Sequence, residues 1–477
     1  MGFLDGVKNF WSWISSFPDI DNLYEADGLK DATEKRRDYR EGEQAKQLKV
    51  KTGQADDNVR SNLVGKIVDQ SVYLLLSNGV EFDLPGDEET PEEVWLNACW
   101  SANHKESLLY KAAVNAADAG TGYIKIVPDG IEGKLGDKLD YVFPRLIGLN
   151  PQHLHMDTNP EDHEQVIRYT IEYTTEGPDG KPRKRREITE YIGPGYDENG
   201  SVVSQGDYWE ISNWKKDYYD TQWSLMGEPV RWDYSFPPII HWQNLPAPNS
   251  VYGLPDVLND VLELQDRRNF TASNINKIIR YHAHPRTYTI GLSEPKKTSW
   301  GSDQLVQFSA DAAGKGEIDN LEMQSDLASS IEYYDLLGKQ MLDATNTVDI
   351  SNLKDKLGQL TNFSVRVLFQ DALWKLDTKR EIWGQMLRDL NHRLLVIGGQ
   401  RNVDPGEVVW PSSVLPVNEQ EIIDAQKQEL EMGLVSKQTL SQERGRDYEQ
   451  EQERIDEEKS SETNIGEILA TNFFRGQ

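Results

Sequence analysis

The sequence predicts a mixed α+β protein of several domains, and three observations carry that prediction. Between residues 122 and 245, apolar and polar residues alternate with period two in short runs separated by turn-forming residues. Downstream, residues 254–283, 326–345 and 360–397 carry apolar side chains at helical spacing. At 477 residues with 37% hydrophobic content, the chain exceeds one ordinary core yet has ample apolar material to build several.

Composition narrows the function. A formal net charge of -29 opposes the counterion-release binding by which basic proteins grip nucleic acid. Either the protein avoids nucleic acid, or it meets it in a way that requires not adhering. No run approaches the roughly 18 consecutive apolar residues of a membrane span. The first residues lack the basic, apolar and small-residue order of a secretory signal, so cytosolic synthesis is expected. A single cysteine, Cys99, leaves no intrachain disulfide and fits a reducing compartment.

Along the chain, MGFLDGVKNFWSWISSFPDI (1–20) spaces Phe3, Leu4, Val7, Phe10, Trp11, Ile14 and Phe17 as a short amphipathic helix ending near Pro18. It would dock on its own protein or on a neighbouring subunit; a membrane-surface helix would need a basic polar face, and only Lys8 is present. Residues 21–60 are charged and weakly patterned, an extended arm with some helix. NLVGKIVDQSVYLLLSNGVEFDL (62–84) reads as a helix to about Leu76, an Asn78-Gly79 turn and a short strand. Residues 91–120 read as one or two amphipathic helices, opened by Pro-Glu-Glu and stopped at Gly120. Strands follow: YIKIV, Leu139 to Leu149, QVIRYTIEYTT, KRREITEYI, SVVS, DYWEISNW and the proline-bounded FPPIIHWQNLPAP, with GPDGKP and DENG as turns.

The stretch LPDVLNDVLELQDRRNFTASNINKIIRYHAHPR (254–286) predicts a long helix. Leu254, Val257, Leu258, Val261 and Leu262 form one face, Ile275, Ile278, Ile279 and His282 resume it, and the middle from Gln265 to Asn269 is polar. Short strands RTYTIGL, QLVQFSA and EIDNLEM come next. A second helix over 326–345 has Asp326 as its N-cap, a polar stretch covers 346–359, and a third long helix stops at Gly398-Gly399. After a proline-marked crossover, the chain ends in helices separated by Gly433 and an acidic segment.

Catalytic constellations are scarce. No GxxxxGK[ST] run cradles phosphates, and GPGYDENG (193–200) lies between strands, fails the EF-hand pattern at Gly195 and reads as a hairpin turn. His153/His155 and His282/His284 lack a third ligand nearby, with Asp157 the only helper, so no metal and no cofactor is assigned. Cys99 beside Trp100 reads as buried packing. Eighty Asp and Glu with 13 Trp leave one enzymatic alternative, a cytosolic carbohydrate-active hydrolase using an Asp/Glu pair, although no spacing identifies the pair.

The order of parts resembles the portal proteins of tailed bacteriophages. Five segments carry the likeness: RSNLVGKIVDQSVYLLLSNGVEF (60–82), LPDVLNDVLELQDRRNFTASNINKI (254–278), FSADAAGKGEIDNLEMQSD (308–326), TNTVDISNLKDKLGQLTNFSVRVLFQDALWK (345–375) and VLPVNEQEIIDAQKQELEMGLVSKQT (414–439). The resemblance covers about residues 55–460. Beside the N-terminal helix and arm read from the residues themselves (1–60), it implies a wing (61–253), stem helices (254–283 and 326–345) around a clip (284–325), a tunnel loop (346–359), a long wing helix (360–400) and a helical crown region (401–477). It also implies a non-enzymatic subunit of a ring, usually of twelve, at one capsid vertex. Double-stranded DNA would pass through that ring without sequence readout during packaging and ejection. Asp349, Ser351, Asn352, Lys354 and Lys356 would approach the DNA, and Lys296, Lys297, Trp300 and Asp303 would meet partners at the clip. The implied partners are the terminase large subunit, a head-tail adaptor and the major capsid or scaffold protein, with no membrane; the site of action is the virion, assembled in the host cytoplasm. Another ring component, such as an adaptor, fits the length and the helix–insert–helix order less well. The polar middle of the first stem helix would then mark its passage from wing to neighbouring stems; a bundle helix with a hydrated midpoint is the other reading.

Overall fold

A computed structural model of the chain describes residues 24–50, 52, 56–77, 79–86, 90–135, 138–196, 202–204, 206–283, 286–290, 306–308, 317–321, 327–349, 361–401, 403–411, 414–415, 419–443 and 448–455. Two units emerge, one of Met1–Ser351 with Phe369–Val414, the other of Asn352–Leu368 with Leu415–Gln477.

The first unit opens with α1 (Tyr24–Glu41) and, after an irregular strap, α2 (Leu63–Leu76). The Asn62 side chain accepts the Gly65 N–H as the cap of α2, which buries Val64, Ile67, Val68, Val72 and Leu75. Gly79, at φ 80°, turns the chain into β1 (Glu81–Asp83). The helical pattern of 91–120 resolves into α3 (Pro91–Ala102) and α4 (Lys105–Ala119). They part at His104, which adopts a left-handed φ of 52°. The buried Asn103 explains the break: its amide donates to the carbonyls of Cys99 and Pro144, and its oxygen accepts the Leu146 N–H at 2.7 Å. Cys99 itself is fully buried, and burial pushes its thiol up to about 12, the packing role the sequence suggests.

Strands β2 (Thr121–Leu135), β3 (Lys138–Gly148) and, later in the chain, β12 (Ile239–Gln243) make a three-stranded antiparallel sheet in the order β12-β2-β3. A single 3-10 turn, Pro151–His153, leads to a second sheet. This contains β4 (Leu154–Asn159), β5 (Asp162–Glu176), β6 (Pro182–Ile192), β9 (Tyr208–Lys216), β10 (Ser224–Leu225) and β11 (Val230–Arg231), in the path β10-β9-β6-β5-β4 with β11 also on β9. Strands β7 (Gly195–Tyr196) and β8 (Val202–Ser204) pair antiparallel, and the DENG turn expected between them lies outside the described residues. The period-two reading of 122–245 therefore corresponds to these strands.

The long helix α5 spans Asn259–Ala283, five residues shorter at its start than the apolar pattern predicts. Pro255 disfavours helical backbone at Leu254, and the amides of Leu254 and Asp256 are spent on the carbonyls of Leu245 and Ala117. Leu254 and Leu258 consequently face outward, while Val257, Val261 and Leu262 are buried. Strands β13 (Arg286–Ile290), β14 (Val306–Phe308) and β15 (Glu317–Leu321) form a small sheet in which β13 is parallel to β14 and antiparallel to β15. Helix α6 (Leu327–Ala344) returns and packs on α5; its expected cap, Asp326, lies outside the described residues, as do His284, Lys296, Lys297, Trp300 and Asp303.

The third long helical stretch is two helices. In the second unit lies α7 (Asn362–Leu368); in the first lies α8 (Gln370–Ile397), which begins after the non-helical Phe369. Helix α8 closes the β12-β2-β3 sheet, with Trp383 edge-on to Trp242 at 5.1 Å. Its end at Gly399 (φ 91°) is a Schellman motif, with the Gln400 and Gly399 amides on the Leu395 and Val396 carbonyls. The proline-marked crossover contains β16 (Glu407–Val409), which pairs with β1, a strand pairing the sequence did not reveal. The second unit adds α9 (Glu419–Glu431) and α10 (Lys437–Glu443), separated at Gly433 by another Schellman turn. The amphipathic segment 1–20 and the end of the acidic tail lie outside the described residues. Among the described residues no helix is long and apolar enough to cross a membrane.

Candidate functional site

The polar middle of α5 turns Gln265 and Asn269 inward, in line with the buried Val261 and Leu262. Gln265, Asn269 and Ser273 are each fully buried, which overturns the hydrated-midpoint reading. Their spacing continues through Asn276 to Arg280, steps of three or four that place all five on one helical face. That face holds the strap between α1 and α2. Gln265 donates to the Ser61 carbonyl at 2.6 Å and accepts the Leu63 N–H at 3.3 Å. Asn269 accepts the Ser61 N–H at 3.0 Å and donates to Gln44 Oε1 at 2.5 Å. Ser273 accepts the Val59 N–H at 2.9 Å, and Asn276 donates to the Asp57 carbonyl at 3.2 Å. Arg280 closes the ladder on the Asp57 carboxylate at 2.6 Å. An extended strap has no sheet partner, so its buried backbone groups need side-chain partners, and a polar stripe supplies them where an apolar one could not.

Flanking bonds fix the same contact. Asp266 accepts from the Tyr39 hydroxyl at 2.7 Å and from Gln47 at 2.8 Å; burial first, and then this carboxylate, push the Tyr39 phenol up. Arg268 donates to the Ser61 hydroxyl at 2.8 Å and lies 4.1 Å over the Tyr334 ring of α6. Gly338 of α6 faces the same guanidinium; a Cβ there would meet Arg268 Nε at 3.3 Å.

On the remaining surface of the helix pair, Phe270 and Ile279 of α5 and Ile331, Tyr333 and Leu336 of α6 are exposed. Leu337, Met341 and Leu342 of α6 are buried. The pair thus has apolar side chains on its outside as well as its inside.

The last turn of α6 opens the 346–359 stretch from a fixed base. Asn346 adopts φ 54°, and the Asn346 and Thr347 amides bond the Asp343 and Leu342 carbonyls in a Schellman motif. Lys375 of α8 donates to the Thr345 carbonyl at 3.2 Å. The same ammonium and that of Lys379 lie 3.1 and 2.7 Å from Asp256 Oδ1, deep in the protein. Asn244 also donates to Asp256, and Lys379 to the Ser71 hydroxyl. Burial alone would raise the Asp256 carboxyl, but the two lysines hold it far below the usual carboxylate range. Lys379, desolvated, is lowered to about 8. This ion cluster joins α2, the turn before α5 and α8 beneath the start of the loop.

Of the residues expected to approach DNA, Asp349 is described, and it pairs with Lys66 of α2 at 3.3 Å. Ser351, Asn352, Lys354 and Lys356 lie outside the described residues. His153 and His155 sit at the start of β4; His155 is held by Asp157 and the Tyr252 hydroxyl, each at 3.1 Å. No group of three His, Cys, Asp or Glu residues that could hold a metal stands together among the described residues. Sequence reasoning missed the strap and its ladder. Its signal was present, a polar stripe at the same three-four spacing that marks an apolar face.

Against known protein families, the chain matches the model described as phage portal protein, SPP1 Gp6-like, over residues 210–464, more than half its length. The match takes in α5, α6 and the strands between them, and leaves out the strap. Among solved structures it is similar to a chain from the virion of native gene transfer agent (GTA) particle, at 11% identity and a TM-score of 0.40, covering 86% of this chain and 99% of that one. No curated protein matches it.

Proposed function

The chain belongs to the SPP1 Gp6-like phage portal protein family, and from that membership we propose that it is one subunit of the ring through which double-stranded DNA enters and leaves the capsid. It is a structural protein of the virion, assembled in the host cytoplasm. The family match over residues 210–464 carries this reading.

In this account α5 and α6 are the stem helices, β13, β14 and β15 belong to the clip, residues 346–359 are the tunnel loop and residues 401–477 form the crown. A ring of twelve is closed by head-to-tail contacts, which need two different complementary faces on each subunit. The exposed apolar residues of α5 and α6 support that arrangement, because a neighbouring copy gives them a partner. The clip, with Lys296, Lys297, Trp300 and Asp303, docks the terminase large subunit and later the head-tail adaptor, while the wing meets the major capsid or scaffold protein. Energy for translocation comes from the terminase.

The charge of -29 suits a channel wall from which a duplex slides without sticking. Asp349, Ser351, Asn352, Lys354 and Lys356 touch passing DNA without reading its sequence. The family match favours this reading over the hydrolase alternative, and the cleft of about 520 Å³ beside the second sheet offers Glu172 as its one carboxylate among the described lining residues, where glycoside hydrolysis takes a pair.

The test is the copy number of this chain in purified particles of the phage that encodes it, by quantitative mass spectrometry against the major capsid protein. The proposal expects about one ring per particle. Hundreds of copies, or none, would overturn it. For the loop, neutralising Lys354 and Lys356 together should alter packaging or DNA retention; unchanged particles would remove those residues from the DNA path.

A further inference from the structure

The cleft that fails as a hydrolase site has a different chemistry. It lies between α1, the turn at Pro151–His153 and one face of the second sheet. Strand register decides which side chains share that face. Thr170 of β5 stands opposite His155 of β4, Glu172 opposite Arg186 of β6, and Thr174 opposite Lys184. Lys184 in turn stands opposite Lys216 of β9. Side chains directly opposite in a sheet project from the same face, so Lys184, Arg186 and Lys216 crowd together.

Lys30 of α1 and His153 line the other side. Lys30 is exposed and forms no ion pair with a carboxylate among the described residues. Glu172 is the one carboxylate in the lining, and it is shared by Arg186 at 2.9 Å and Lys184 at 3.6 Å. Cations therefore outnumber anions here, in a chain whose net charge is -29. His153 reports the same field: burial first, then Lys30 and Arg37, hold its imidazole below the usual value. The hydroxyl of Thr170, a lining residue 6% exposed, has no hydrogen-bond partner.

We propose that this cleft binds a phosphate group, held by Lys30, Lys184 and Arg186 with the Thr170 hydroxyl as a further donor. A tetrahedral phosphate presents several acceptor oxygens to donors converging from two walls, whereas a carboxylate presents two in one plane. The volume, about 520 Å³, admits a phosphate with part of the molecule that carries it. The phosphate has two sources of the same chemistry, a free phosphate compound or the backbone of DNA. The inference goes beyond the portal reading and does not depend on it, since the cleft is built within a single subunit.

Titration calorimetry with inorganic phosphate, at constant ionic strength in chloride, tests it on the full chain. The wild type should bind saturably. The double variant K30A/K184A removes two exposed lysines, leaves the Glu172–Arg186 pair in place and should bind roughly tenfold or more weakly, at an unchanged melting temperature. A short DNA duplex that displaces phosphate assigns the site to the DNA backbone; a duplex that does not assigns it to a free phosphate compound. Heats no larger than those of chloride alone, or equal affinity in wild type and K30A/K184A, would overturn the proposal.

Discussion

Replacing Asn269 by alanine should release the strap from α5. The wild-type amide is fully buried and serves three partners: its oxygen takes the Ser61 N–H at 3.0 Å and the Gln265 amide at 2.9 Å, and its nitrogen reaches Gln44 Oε1 at 2.5 Å. Alanine strands the Ser61 N–H and the Gln44 oxygen, and leaves the Gln265 amide with the Ser61 carbonyl alone. A buried group without a partner costs about 1–3 kcal/mol. The strap is partly exposed, so some of these groups recover water, and the net loss should be about 3 kcal/mol. Local opening is the route by which such a loss shows itself. Hydrogen exchange at the Val59 and Ser61 amides should accelerate by roughly a hundredfold, since about 1.4 kcal/mol is a factor of ten. Thr271→Ala is the control: its exposed hydroxyl bonds only the Arg267 carbonyl, one turn back. It should change stability by less than about 0.5 kcal/mol. A double-mutant cycle with Gln44→Ala should return a coupling of about 1 kcal/mol. Exchange in Asn269→Ala matching that of Thr271→Ala would refute the reasoning, because the strap would then be held by something other than the ladder.

Three further outcomes follow from the buried ion cluster and one glycine. Asp256→Asn leaves Lys375 and Lys379 facing each other without a counter-charge and should cost about 3–5 kcal/mol, whereas Lys379→Met leaves the Asp256–Lys375 pair and should cost less; chemical denaturation of both variants checks the order. Asp256 sits far below its unfolded value near 3.9, so its contribution to stability is present above about pH 4 and is lost as pH falls. Melting temperatures between about pH 5 and 2 should therefore fall more steeply in the wild type than in Asp256→Asn. Gly120 ends α4 at φ 90° with the Gly253 carbonyl where a Cβ would stand. Gly120→Ala should lose about 2 kcal/mol or more, read by thermal unfolding, and an unchanged melting point would contradict the close approach.

The sequence showed what depends on periodicity within one element. Alternation located β2, β5, β6 and β9, and the glycines at 79, 120, 399 and 433 ended elements where they were expected to. It failed where one segment's backbone is answered by another's side chains. Nothing local at Gln44 or in residues 56–62 announces that they bond a helix some two hundred positions away, since their partners are polar side chains instead of an apolar stripe. The early apolar residues Leu254 and Leu258 extended the helical pattern past its real start, because periodicity cannot register that Pro255 and the buried Asp256 hold a turn there. The sequence left one or two helices open over 91–120, and the place of the break at His104 escaped for a related reason: it is set by Asn103 bonding across to Pro144 and Leu146. The likeness of 254–278 and 345–375 to a known family, which rests on order along the chain, did survive comparison over residues 210–464.

The central claim, that this chain is built to close a ring with copies of itself, is tested most directly by native mass spectrometry of the purified full-length protein. The account predicts a closed assembly of about a dozen 54.5 kDa subunits, which Ile279→Glu with Leu336→Glu converts to folded monomers by charging the exposed faces of α5 and α6. A charged double variant that assembles as the wild type does would contradict the claim that these faces join neighbouring subunits, and a wild type that stays monomeric at every concentration would contradict ring closure by the chain alone.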